Sequence, residues 1–335
     1  MKNWLHTIMC VGFVLCISCT KNPFVRKVDN IPISLTVIDF HKKIEHISQT
    51  QSTEQTQALL QECGPFFESF NVRIMKLGLS TDSTYLPKLA DVMSKSWMKE
   101  LYADVEQQYP DNTHIQQELT NAFQYYTYYF PDFTPPNIAS FISGLQYSIV
   151  IDENMLAIGL DKYLGENYIG YIQAGIASFM RRSMHKERIP VDCMIALADA
   201  EFPYNFSDEF LLSYIIHHGR QMYLVRSVLP HVHDTVLWAY TEKQLDFCKK
   251  SEDQFWKYLV SENTLYSSDY LTIKRFVEDG PFTHVFTKQS PGRVGQWIGY
   301  NIVASFMNKN PEISMEELFS IQDAQEIMNK ARYRP

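Results

Sequence analysis

The sequence predicts a mainly helical α+β domain that carries a small antiparallel sheet. Three observations lead there. Long stretches on both sides of the middle repeat their apolar residues at helical spacing and end at prolines. Between residues 138 and 160 the pattern changes to short β-branched runs separated by turn residues. One stretch, Phe206 to Leu229, is apolar on more than one face, as expected of a central helix on which the others pack.

Taken in order, Met1-Lys2-Asn3 and the apolar run Trp4 to Ile17 read as a secretory signal, too short to span a bilayer. The run ends Leu15-Cys16-Ile17-Ser18-Cys19, and a small residue directly before a cysteine marks a bacterial lipoprotein signal. Residues 1–18 are then removed, Cys19 carries lipid, and residues 19–30 form a polar tether. Each acyl CH2 buried in the membrane contributes about 0.8 kcal/mol, so several chains on one cysteine anchor stably. Cys16 stands where Leu is usual. Thr20, in place of an inner-membrane-retaining Asp, points to the outer membrane, with the body facing the periplasm.

Residues 31–335 form the body. Ile31 to Phe40 alternates Ile33, Leu35 and Val37 and reads as a strand. Helices are expected from about 49 to 70, after Pro87 through Val105, and from His114 to Phe130. Strand runs follow at 138–142, 147–151 and 155–160, with a turn at Asp152-Glu153-Asn154. They read as an antiparallel meander that needs helices to cover it. Helices then return at about 168–182, 190–201, 207–229, 241–262, 269–277, 291–309 and 314–330.

The chain is 45% hydrophobic and 14% aromatic, enough for a folded core. Net charge is -8 and no basic block occurs, so nucleic acid is not an expected partner. Cys63, Cys193 and Cys248 are odd in number and unpaired in spacing, so buried free thiols are expected rather than disulfides.

The chemistry centres on the helix at 207–229. Ser207, Asp208 and Glu209 give it an N-terminal signature and Pro230 stops it. A zinc peptidase helix needs His-Glu-x-x-His: two imidazoles on one face and a carboxylate to polarise water. The window here is His217-His218-Gly219-Arg220-Gln221. His218 takes the Glu position and Gln221, a poor ligand, takes the second His position. The reading is a degenerate zincin-like helix with no catalytic residue, metal or cofactor; a divergent metal-dependent peptidase or hydrolase using His217 is the alternative. Asp161 and Lys162 follow the third strand run and are expected to border the same cleft. Ser290 to Tyr300 opens a helix with Ser290 as cap and Pro291 in its first turn. Gly292, Gly295 and Gly299 lie on one side of it, which permits close approach of a neighbour, and Arg293 and Gln296 complete the candidate cleft. His231-Val232-His233-Asp234 follows Pro230 and reads as a solvated loop.

Five runs together resemble a known family: Tyr129-Phe130-Pro131-Asp132-Phe133, Phe141 to Tyr147, Ala157 to Gly165, Glu201-Phe202-Pro203-Tyr204-Asn205, and Ser290 to Tyr300. The chain is similar to the gliding motility lipoprotein GldB family of Bacteroidetes over essentially its whole mature length. The resemblance implies a lipid-anchored envelope protein, required for surface gliding where that occurs and linked there to type IX secretion. A retained helix around a broken ligand set suggests separately that the former cleft holds a peptide or protein partner. It brings no catalytic residues. More distantly the chain looks like predicted zinc-dependent proteases, of whose motif it keeps only His217.

Overall fold

The computed structural model describes residues 22–335, so the expected signal peptide and Cys19 lie outside the described residues. Helices dominate, and one four-stranded sheet interrupts them. Strand β1 is only Val37–Ile38. Residues 31–36 of the expected strand stay outside the sheet, and after Ile38 the chain turns into helix α1, Phe40–Thr50, whose buried residues Phe40, Ile44 and Ile47 make a stripe of helical period. Next come α2, Thr53–Cys63, capped by Ser52, and α3, Pro65–Ser69. The single helix expected to Phe70 is broken by Gly64 (φ 55°), and Phe70–Ile74 continues as a π turn. Helices α4, Tyr85–Ser94, and α5, Ser96–Gln108, divide the second expected helix, and α6 spans Thr113–Tyr129.

The sheet corrects the expected antiparallel meander. Strands β2, Asn137–Phe141, β3, Ile149–Asp152, and β4, Met155–Gly159, take the order β1-β2-β4-β3. Only β3 and β4 are antiparallel, joined at Glu153-Asn154, with Glu153 at φ 48°. Strand β4 lies parallel to β2, Ile138 opposite Leu156 and Ser140 opposite Ile158. The physical reason is burial. Every residue of β4 is buried, whereas those of β3 are half-buried. A continuous apolar strand gains most in the centre, and the more polar one goes to the edge. The loop Ile142–Ser148 carries the chain past the central position to that edge. Phe40, Phe66, Phe70 and Phe141 meet edge to face beneath the sheet.

Beyond the sheet, the helix expected at 168–182 is two short ones, α7, Ile169–Gln173, and α8, Ser178–Arg181, because Gly175 between them sits at φ 71°. Helix α9 is Ile189–Glu201. Central helix α10 is Leu211–Val228, starting later than the Ser207 signature suggests. Ser207 does not cap it; the Asp208 carboxylate instead accepts from the Phe210 amide at 3.0 Å and the Ser213 hydroxyl at 2.5 Å. Then come α11, Asp234–Trp238, α12, Glu242–Ser261, with a full capping box at Thr241 and Gln244, and α13, Tyr270–Val277. Helix α14 is Val294–Lys309. Pro291 is not in its first turn, since Arg293 holds a left-handed φ of 58° just before it, and Ser290 braces the preceding loop by accepting from Thr283. The last expected helix divides into α15, Met315–Ser320, and α16, Ala324–Ala331.

Helices α6, α9, α13, α14 and α16 surround α10. The closest approach is to α14. A Cβ on Gly219 would lie 2.3 Å from the Gly299 carbonyl carbon, and one on Gly299 would lie 1.9 Å from the Ile215 oxygen. The glycines on α14 therefore do bring a second backbone into contact. Among the described residues no helix is long and apolar enough to cross a membrane.

Candidate functional site

The polar residues in the middle of α10 meet α9 and the start of α14. Gln221, one turn after His217, carries a side-chain amide that bridges three groups. Its Nε2 donates to Asp199 Oδ1 at 2.5 Å and lies 3.1 Å from His217 Nε2. Its Oε1 lies 3.1 Å from His218 Nδ1. An amide nitrogen has two hydrogens and its oxygen has none, so the donor count assigns the tautomers. His217 accepts at Nε2 and holds its proton on Nδ1, which is buried and has no partner among the described residues. His218 donates from Nδ1. Burial, then the neighbouring His218 and Arg220, push the His217 pKa down to about 3, so the ring is neutral at physiological pH. Burial also lowers His218 and raises Asp199.

Beside this bridge lies a concavity of about 250 Å³. His218, Gln221, Arg293 and Gln296 line it, with Asp199, Glu278 and Asp279. Arg293 donates through Nε to Asp279 at 2.8 Å and through an Nη to the Trp238 carbonyl at 2.7 Å. Gln296 donates to the Val277 carbonyl at 2.7 Å. Glu278 pairs with Lys274 at 3.0 Å. Three carboxylates against Arg293 and the Lys274 that pairs with Glu278 leave the rim net acidic.

The structure brings four of the seven expected cleft residues to this concavity and leaves three out. His217 lies behind Gln221, packed edge to face on Tyr204. Asp161 and Lys162 belong to the sheet. Asp161 is completely buried and accepts from the amides of Ser143 (3.0 Å) and Leu145 (2.6 Å). Lys162 donates to the Leu145 carbonyl at 3.2 Å. The two pin the loop that crosses from β2 to β3, where Gly144 and Leu145 are both left-handed. Burial pushes Asp161 up to about 6, against the pull of those donors. His233 caps α11 by accepting from the Thr235 amide, as suits a loop residue.

Sequence reasoning missed Asp199 and Asp279, which no motif distinguishes among 38 acidic residues. It also passed over Arg220. This side chain is fully buried and, among the described residues, has no carboxylate partner; it donates to the carbonyls of Leu318, Phe319 and Ile321 and to Asn205 Oδ1. The guanidinium thus sits on the C-terminus of α15, where the helix dipole stands in for a counter-charge, and lies 4.2 Å from the Phe206 ring centre. Burial pulls its pKa down to about 10, which leaves it charged.

The donor set does not suit zinc. The imidazole nitrogen of His217 that faces Asp199 is engaged by an amide N–H, and an amide nitrogen offers no lone pair to a metal. Among the described residues no group of three His, Cys, Asp or Glu converges as a metal site. Cys63, Cys193 and Cys248 are free and buried.

A family model described as gliding motility protein GldB matches residues 21–335. No curated protein and no solved structure matches the chain significantly.

Proposed function

The chain belongs to the gliding motility protein GldB family, and from that premise we propose that it is a lipid-anchored protein of the cell envelope that works by binding rather than by catalysis. Lipid on Cys19 holds it to the outer membrane with its body in the periplasm. The body, residues 31–335, receives a peptide or protein partner at the concavity beside His218, Gln221, Arg293 and Gln296.

The observation that carries the non-catalytic reading is the Gln221 bridge. It ties His217 and Asp199 together through a group that neither coordinates metal nor transfers protons. The acidic rim favours a basic side chain on the partner. Two measurements test the reading. Mass spectrometry of the purified body is expected to find no stoichiometric zinc; stoichiometric zinc that is lost on His217→Ala overturns it. In cells, Asp279→Lys is expected to remove a co-purifying envelope protein while leaving the chain's abundance unchanged. An unaltered set of co-purifying proteins counts against the concavity as the binding site.

A further inference from the structure

The segment between the anchor and the body is docked rather than free. Asn22 donates through Nδ2 to the Pro230 carbonyl at 2.7 Å, and the Phe24 ring lies edge-on to Tyr223 at 5.4 Å. Tyr125 donates its hydroxyl hydrogen to the Arg26 carbonyl at 3.3 Å, Val28 is buried, and Gln124 donates to the Ile31 carbonyl at 3.0 Å. Only three residue steps separate Cys19 from Asn22. A fully extended chain covers at most about 3.6 Å per residue, so they span no more than about 11 Å.

Beside this docked segment lies a groove of about 790 Å³. Phe24, Tyr128, Tyr129, Tyr223 and Tyr300 wall it; among the described residues Arg26 is its one charged residue and no carboxylate lines it. Tyr128 stands exposed on that wall, and Val25, between the lining residues Phe24 and Arg26 in sequence, is exposed as well. Tyrosine rings, apolar in body and polar at the tip, are enriched at the level of lipid headgroups.

We propose that this aromatic groove is the membrane-facing surface of the protein and sits in the headgroup layer of the bilayer that holds the anchor. The inference rests on lipidation of Cys19, as proposed above. Given that anchor, the short link decides the occupant. A helix of a partner protein is about 10 Å across, so one lying between groove and membrane would use up the whole reach of the link. Phospholipid needs no such space.

The test uses the lipidated chain in vesicles of phosphatidylethanolamine with brominated phosphatidylcholine. An environment-sensitive fluorophore is placed at Asn308→Cys, an exposed position in the groove, or at Val260→Cys. Val260 lines a different groove at the other end of α10, where Leu212 lies about 22 Å along the helix from Ser227. The three native thiols of the body are buried, so labelling is selective. The expected result is severalfold quenching by brominated lipid at Asn308 and none at Val260. A flexible insert of about 20 Gly/Ser residues after Thr20, with a root-mean-square reach of roughly 25 Å, is expected to weaken the Asn308 signal while the protein stays vesicle-bound. Vesicle-bound protein with both probes unquenched overturns the proposal and leaves the anchor intact. Protein that does not partition into vesicles overturns the anchor reading itself. Shielding of Asn308 that appears without lipid and depends on protein concentration, or that needs added envelope protein, overturns the proposal in favour of a second copy or a protein partner.

Discussion

His217 and Arg220 sit one turn apart on α10, both buried, yet one is neutral and the other charged. His217 stays neutral. Its folded pKa of about 3 lies below the 6.5 of an exposed histidine, so between those values the unfolded chain binds a proton that the folded chain does not. The stability present above pH 6.5 is therefore lost as pH falls. Against His217→Asn, which lacks this titration, the wild type is expected to lose about 2 kcal/mol between pH 6.5 and 5, near 1.4 kcal/mol per unit, in urea unfolding. The comparison cancels Asp161, whose raised pKa acts in the opposite sense over the acid range. Arg220 stays charged. Arg220→Ala removes the donor from three carbonyls at the end of α15 and from Asn205 and leaves a cavity, with an expected cost of about 4 kcal/mol. Arg220→Lys keeps the charge without the fork and is expected to recover only part of it. At this scale the sequence reveals that Gln221 stands where a ligand would, because a motif fixes the spacing. It cannot reveal Asp199, which reaches Gln221 from another helix, nor that Arg220 serves a helix terminus about a hundred residues away.

Helices α10 and α14 meet backbone to backbone, and glycine makes this possible on both sides. Gly219→Ala would set a Cβ 2.3 Å from the Gly299 carbonyl carbon, with backbone rather than a movable side chain in the way. The helices must separate, at an expected cost of about 3 kcal/mol, or a fall in Tm of roughly 6 °C for a chain of this size. Calorimetry measures it, and an unchanged Tm would refute the tight crossing. The glycine spacing around Gly299 foretells such an approach; the partner position Gly219 is hidden inside the residues compared with the zinc motif. The sheet follows the same logic. The positions of β2 to β4 and the tight turn between β3 and β4 are local properties, legible from β-branched runs and turn residues; the expected strand at 31–40 shrinks to Val37–Ile38. Which strand lies centrally depends on what covers it, and the full burial of β4 becomes visible only after the helices pack. The helix breaks at Gly64 and Gly175 likewise turn on left-handed backbone that composition alone does not announce.

For the molecule as a whole, the point of least legibility is where the body begins. Residues 20–30 are polar and contain Pro23, the composition of a linker, yet Phe24 and Val28 suffice to lay residues 22–31 along α6 and α10. Such a terminal strap should open as its own unit, because it is held by one buried valine, one aromatic pair and a few hydrogen bonds, and its release leaves the rest of the core covered. Val28→Asp puts a carboxylate where the chain has no room for its hydration, a cost the protein avoids by releasing the strap rather than by unfolding. The expected outcome is a Tm lowered by only a few degrees together with much faster trypsin cleavage after Arg26 and Lys27, read by mass spectrometry of timed digests. Equal cleavage rates in the two proteins would mean the strap is already free in solution. A collapse of Tm would mean instead that residues 22–31 form part of the main cooperative core. Only the first pattern, local release with the body intact, fits a strap that fixes how far the body can stand from its anchor.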